Sequence, residues 1–265
     1  MMALRVFLLA LAAFALTMTD VQARPRGLVE PALHILPGGP GHPRVALTFD
    51  ACMGRTDHRI LDALISGHIP ATIFVTGRWL KKNRAAFEIL LAHPDLFEIE
   101  DHGAMHVPAV DRPVKIYGIA SAGSAEAVKK EVEGGRSAIE AAGGPHPLWF
   151  RGSTALYSLS AISQIRRLGF SVAGFSVNGD GGSLFSAALA EKTISRAKDG
   201  DVVISHINQP THAAGAGVVK GILDLKARGY GFVKLDEVQP TGTDGTTGTL
   251  PVAKTAGHPS LPKKG

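Results

Sequence analysis

The sequence contains one cysteine, Cys52, among its 265 residues, so no disulfide can form within the chain. Aromatic residues make up only 6% of the chain. The Gly-x-Ser-x-Gly pattern of a nucleophilic serine does not occur, which argues against a serine esterase. No internal repeat is visible, so a repeat architecture is disfavoured.

Strong charge of one sign is also missing. The chain has 28 Lys and Arg residues against 23 Asp and Glu residues, a net charge of +5. Its lysines form small scattered pairs, such as Lys81-Lys82 and Lys129-Lys130, with few aromatic residues among them. This pattern argues against a nucleic-acid partner. It is compatible with loose attraction to an acidic cell envelope.

Only one long apolar run is present, near the N-terminus. It covers Val6 to Leu16, follows Arg5, and is succeeded by Val21-Gln22-Ala23, the small-x-small pattern that signal peptidase cleaves. A membrane span needs about 20 apolar residues, so an uncleaved tether is the less favoured alternative. We predict a signal peptide at 1–23, a periplasmic or secreted location, and no stable membrane insertion after cleavage.

The remaining chain predicts one barrel-sized domain. Residues 24–42 read as a leading arm broken by Pro and Gly, and residues 43–239 as the domain itself. Residues 240–265 are rich in Gly, Thr and Pro without apolar periodicity, which predicts a disordered tail. We expect a monomer.

Strand-like and helix-like segments alternate through the domain. Short apolar runs predict strands at Arg44–Asp50, Ala71–Thr76, Phe97–Asp101, Leu148–Arg151, Ser171–Val177, Asp201–Ile207 and Gly231–Val238. Capped segments between them predict helices at Asp57–Ser66, Asn83–His93, Glu126–Ala142, Ser158–Leu168, Ser186–Lys198 and Val218–Arg228. This alternation predicts an α/β fold with a parallel sheet, and the chain is long enough to close it into a barrel.

Ionisable residues stand at the ends of four predicted strands: Asp50, His102, Arg151 and His206. A closed sheet would bring them to one rim, where α/β barrels carry their chemistry. His106 follows His102 by four positions, a spacing that suits a pair of metal ligands on one helical turn. Ordinary packing can explain one ionisable residue at the end of a strand, but it does not readily explain all of them together.

These motifs together resemble those of the NodB-like polysaccharide deacetylases, carbohydrate esterase family four. They are Thr48-Phe49-Asp50, His102-x-x-x-His106, Phe150-Arg151 and Ile204-Ser205-His206, and the resemblance covers about residues 44–238. It implies a distorted (β/α)7 barrel, the NodB homology domain. It also implies metal-dependent removal of N- or O-acetyl groups from a polysaccharide substrate.

The resemblance also implies roles for the site residues. His102 and His106 would bind a divalent metal, most often Zn²⁺, and Asp50 would be the general base. His206 would be the general acid, and Arg151 would orient Asp50. Asp180 is the best match for the aspartate that orients the acid, although it also reads as a residue of a glycine-rich turn.

The sequence departs from the family at one metal ligand. The family usually reads Thr-Phe-Asp-Asp-Gly, whereas this chain has Ala51 at the second aspartate. Asp57 could replace that ligand, or it could simply cap the first helix. Cys52 is a third, less favoured ligand, because zinc accepts thiolate; a buried apolar filler is its commoner role.

The function predicted from the sequence is therefore an exported, metal-dependent deacetylase of a cell-envelope or extracellular glycan. The main alternative is a carbohydrate-binding pseudoenzyme that has lost its metal site. A barrel amidohydrolase acting on small molecules ranks third.

Overall fold

Parallel strands form the centre of the fold in the computed structural model, which describes residues 26–241. The predicted signal peptide and most of the predicted tail lie outside the described residues. The strands are β1 His34–Ile35, β2 Arg44–Ala51, β3 Ala71–Val75, β4 Phe97–Asp101, β5 Lys115–Ile116, β6 Ile119–Ala120, β7 Trp149–Phe150, β8 Ser171–Val172, β9 Val177–Asn178, β10 Val202–His206, β11 Gly231–Val233 and β12 Pro240–Thr241. The helices are α1 His58–Ser66, α2 Gly77–Lys82, α3 Arg84–Ala92, α4 Ala125–Ala141, α5 Leu159–Arg167, α6 Ala187–Ile194 and α7 Ala214–Ala227.

The main sheet runs in the order β8-β7-β4-β3-β2-β10-β9, and β11 also pairs with β2. All of its pairings are parallel. Helices connect consecutive strands and cover the outside of the curled sheet, as parallel strands require. The predicted distorted (β/α)7 barrel is confirmed.

Alternation along β2 separates the core from the site. Val45, Leu47, Phe49 and Ala51 pack in an apolar cluster with buried residues of α1 and α7. Successive side chains of a strand point to opposite faces. The residues between them, including Asp50, therefore point into the barrel.

The predicted strand Ser171–Val177 is wrong in its middle, because the structure splits it into β8 and β9. Phe175 instead exchanges backbone hydrogen bonds with the leading arm, through the Pro31 carbonyl (3.3 Å) and the Leu33 N–H (3.4 Å). A Cβ at Gly174 would clash with the Pro31 carbonyl. The arm thus fills the gap between the two ends of the sheet.

Other differences are local. Helix α2 was not predicted; the Thr76 hydroxyl caps it by accepting the Trp79 N–H at 2.9 Å. The hairpin of β5 and β6 was not predicted either. Pro240 and Thr241, assigned to the tail, form β12 and pair with β1. Among the described residues, no helix is both long and apolar enough to cross a membrane.

Candidate active site

Four ionisable residues lie at the carboxyl ends of neighbouring strands. Asp50 in β2 stands directly opposite His206 in β10. Asp101 and Phe150 are register partners in β4 and β7, so the residues that follow them, His102 and Arg151, are neighbours as well. The structure brings these four predicted site residues to one rim.

Arg151 is fully buried and binds Asp50. Its Nη1 donates to Asp50 Oδ1 at 3.0 Å and to Thr48 Oγ1 at 2.9 Å, and its Nη2 donates to the Gly174 carbonyl at 2.9 Å. Burial opposes ionisation of Asp50, but the positive charges of His102, Arg151 and His206 outweigh it and lower the pKa of this carboxyl. Asp50 is therefore held as a carboxylate.

His206 is held by Asp180. Asp180 Oδ1 accepts the Nδ1–H of His206 at 2.9 Å, and Oδ2 accepts its backbone N–H at 2.7 Å. Burial disfavours the imidazolium, but Asp180 outweighs burial, and the pKa of His206 is raised well above its ordinary value. His206 also hydrogen-bonds the Cys52 side chain, so the arrangement provides a protonated imidazole next to the cysteine.

Two of the predicted metal ligands lie beside the cysteine. Ligand atoms of Cys52, His102 and His106 are all within 4.8 Å of one another. Cys52 Sγ lies 3.3 Å from His102 Nε2. Cys52 and His102 are buried, and His106 is half-buried.

Residues that follow β7 hydrogen-bond the Nδ1 atoms of His102 and His106 and so orient both imidazoles. His102 Nδ1 donates to the Arg151 carbonyl at 2.5 Å, because a carbonyl can only accept, so Nε2 is the ring nitrogen that faces Cys52. Burial opposes the imidazolium, but Asp50 and Cys52 outweigh it and raise the pKa of His102 to about 9. His106 Nδ1 lies 3.3 Å from Ser153 Oγ. Such outer partners are typical of histidines that bind metals.

The loop of His106 is clamped by Glu131 of α4. Glu131 Oε1 accepts the N–H groups of Met105 and Val107, both at 2.9 Å. His106 lies between them with a φ of 63°, a left-handed conformation that is uncommon for a residue other than glycine. Because both flanking N–H groups point to one carboxylate oxygen, Glu131 stabilises that conformation.

Asp57 lies outside the cysteine–histidine group. Its Oδ1 accepts the backbone N–H of Arg59 (3.1 Å) and Arg59 Nε (2.8 Å), and its Oδ2 accepts Arg59 Nη2 (2.6 Å). It caps α1. Of the alternatives left open by the sequence, these contacts favour the helix cap.

The donor set fits zinc. Zinc binds thiolate sulfur at about 2.3 Å and imidazole nitrogen at about 2.0 Å, which places two tetrahedral donors roughly 3.6 Å apart; the 3.3 Å from Cys52 Sγ to His102 Nε2 is close to that. Burial would raise the pKa of the Cys52 thiol, but His102 holds it well below its ordinary value.

Sequence reasoning gave no role to Ser153, Thr48 or Glu131, and it ranked Cys52 third among the ligands. Thr48 belongs to the Thr-Phe-Asp motif, and its two-residue offset from Asp50 was a usable signal. Glu131 gave no such signal, because an acidic residue within an amphipathic helix ordinarily faces solvent.

Comparison with known proteins identifies the family of the fold. A family model described as polysaccharide deacetylase matches residues 38–173. No curated protein sequence matches the chain.

Solved structures similar to this chain include three deacetylase folds. One is BA3943 from Bacillus anthracis, a carbohydrate esterase family four pseudoenzyme (21% identity, TM-score 0.61, covering 76% of this chain and 67% of that one). Another is the T48 deacetylase with substrate (25% identity, TM-score 0.58, covering 75% of this chain and 94% of that one). The third is the peptidoglycan deacetylase PdaC from Bacillus subtilis (21% identity, TM-score 0.58, covering 75% of this chain and 91% of that one).

Proposed function

Because the chain belongs to the polysaccharide deacetylase family, we propose that it is an exported, metal-dependent enzyme that hydrolyses N- or O-acetyl groups of a cell-envelope or extracellular glycan. The observation that carries the proposal is the meeting of a base and an acid beside a group of metal-binding side chains. Asp50 is paired with Arg151, and His206 is paired with Asp180. Asp50 Oδ2 lies 3.7 Å from His102 Nε2, and His206 hydrogen-bonds Cys52.

Each protein group has a definite task in acetyl hydrolysis. Asp50 accepts a proton from the attacking water, and Arg151 keeps Asp50 ionised and aligned. His206 donates its Nε2 proton to the departing nitrogen or oxygen, while Asp180 fixes the ring and stabilises its charge. A divalent cation bound by His102 and His106, most suitably Zn²⁺, would supply Lewis-acid polarisation of the acetyl carbonyl and activation of the water.

Acetate release from purified protein tests this function. The substrate panel is peptidoglycan, chitin oligomers, acetylated xylan and an acetylated exopolysaccharide. Asp50→Asn keeps the size of the side chain and removes the base, so release should fall by at least about 100-fold. The matched control is Asp62→Asn on the exposed face of α1, which should retain wild-type activity. Unchanged activity of Asp50→Asn would refute the assignment.

A carbohydrate-binding pseudoenzyme is the second candidate, and Ala51 is the observation that favours it, since it replaces a ligand of the family. A similar structure is itself described as a pseudoenzyme. The two candidates differ in metal content. Stoichiometric zinc in the purified protein together with acetate release supports the enzyme, whereas sugar binding by a metal-free protein supports the pseudoenzyme.

The exported location is proposed from the N-terminal pattern of residues 1–23. N-terminal sequencing of the protein recovered outside the cytoplasm should begin near Arg24. Recovery of uncleaved protein in the membrane fraction would favour the tether instead.

A further inference from the structure

The Ala51 side chain does not face the site. Ala51 is fully buried in the apolar cluster between β2 and its helices, together with Phe49 and Leu47. Asp50 points to the opposite face, into the barrel. Strand alternation then returns the next side chain, Cys52, to the face of Asp50.

Cys52 is held at the place where the two imidazoles meet. Its Sγ is 3.3 Å from His102 Nε2, and its carbonyl accepts the Thr76 hydroxyl at 2.5 Å. Among the described residues, Cys52 joins His102 and His106 in the one group of at least three His, Cys, Asp or Glu side chains with metal-ligand spacing.

Asp57 is engaged elsewhere. Arg59 binds both carboxylate oxygens, and Arg59 Nη2 is fixed in turn by the His212 carbonyl at 2.9 Å. Gly215 adjoins the same carboxylate so closely that a Cβ there would overlap Asp57 Oδ2. Ligation by Asp57 would break this pair and its cap of α1.

We infer that Cys52 is the third protein ligand of the metal, giving a Cys-His-His site in place of the Asp-His-His site of the family. The inference rests on the proposed function. A thiolate carries the same single negative charge as the lost carboxylate. Three protein ligands leave a fourth tetrahedral position open, which is the arrangement of catalytic zinc sites. The soft sulfur donor should favour Zn²⁺ and Co²⁺ over Mg²⁺ and Mn²⁺.

Cobalt substitution of the full chain tests this ligand set, because a thiolate ligand adds a sulfur-to-Co²⁺ charge-transfer band in the near ultraviolet. We expect that band in the wild type. Cys52→Ser should lose the band and bind Co²⁺ at least about 100-fold more weakly, which is the upper limit for losing an outer-shell partner. Asp57→Asn is the rival-ligand control and should keep both band and affinity.

A second variant distinguishes loss of the ligand from loss of the folded protein. Cys52→Asp restores a carboxylate at nearly the same place, so it should bind Co²⁺ without the charge-transfer band. Wild-type protein that binds Co²⁺ without the band, or that loses metal only in Asp57→Asn, would overturn the inference and leave the deacetylase proposal standing. Wild-type protein that binds neither Co²⁺ nor Zn²⁺ would overturn both.

Discussion

Glu131 offers a test of how the site is held together, since its carboxylate binds backbone N–H groups next to a proposed metal ligand. It lies in α4, is 5% exposed, and accepts the N–H groups on either side of His106. Its Oε2 adds a third contact, to the Met105 N–H at 3.1 Å. We therefore predict that Glu131→Gln weakens metal binding without removing any ligand.

The magnitude follows from these contacts. Hydrogen bonds to a charged acceptor contribute about 1.5–3 kcal/mol each, and a left-handed residue such as His106 (φ 63°) costs of order 1–3 kcal/mol. Glutamine keeps one acceptor oxygen, so we expect a loss of about 1–3 kcal/mol in the free energy of unfolding. Zn²⁺ affinity should fall about 10- to 100-fold, as is typical when an outer-shell partner is lost.

Two measurements separate positioning from plain stability. Denaturant unfolding of the metal-free protein measures the loss in free energy of unfolding. Competition for Zn²⁺ with a chromophoric chelator measures the loss in Zn²⁺ affinity. The matched control is Glu133→Gln, two residues along α4, whose more exposed carboxylate lies 3.8 Å from Arg136. A folded Glu131→Gln protein that binds Zn²⁺ as tightly as the wild type would refute the positioning role.

Three further predictions concern other groups. Asp180→Asn should lower kcat by about 100-fold or more, and loss of the carboxylate that raises the pKa of His206 should move the alkaline limb of the pH–rate profile to lower pH; an unmoved limb would contradict the pairing. Burial raises the pKa of Glu98 to about 7, with Asp236 adding to it, so its protonated form stabilises the fold below about pH 4.5 and that contribution is lost as pH rises through 7. In urea unfolding, the wild type should therefore lose up to about 3 kcal/mol of unfolding free energy between pH 4.5 and 7 that Glu98→Gln does not lose. An equal dependence of unfolding free energy on pH in both proteins would refute the prediction. Iodoacetamide should label Cys52 much faster after chelation than with Zn²⁺ bound; equal rates would argue against ligation.

The barrel and its rim were predictable because their causes are local and periodic. Apolar runs of strand length alternate with capped helices, and parallel strands place their carboxyl ends together. The convergence of Asp50 and His206 thus follows from element order, and their direct pairing in the register of β2 and β10 fits it. Family resemblance added the roles, which periodicity cannot supply.

The interruption between β8 and β9 was not predictable in the same way. Residues 171–177 have the composition of a strand, but a distant segment, the leading arm, binds the Phe175 backbone. Arg151 Nη2 donates a hydrogen bond to the Gly174 carbonyl. Both competitors lie far from this segment along the chain, so no local pattern records them.

The choice between Asp57 and Cys52 depends on which anion is still free of a cation, and sequence spacing does not reveal that. Arg151 pairs with Asp50, and Arg59 binds both oxygens of Asp57. The side chain grouped with the two imidazoles is Cys52, and His102 lowers the pKa of its thiol. A thiolate ligand would bind a dication more tightly than two imidazoles alone, because it offsets part of the charge in a buried site. If Cys52 binds the metal, the loss of the family's second aspartate is compensated one residue later, and the distinction between enzyme and pseudoenzyme rests on the thiolate rather than on Asp57.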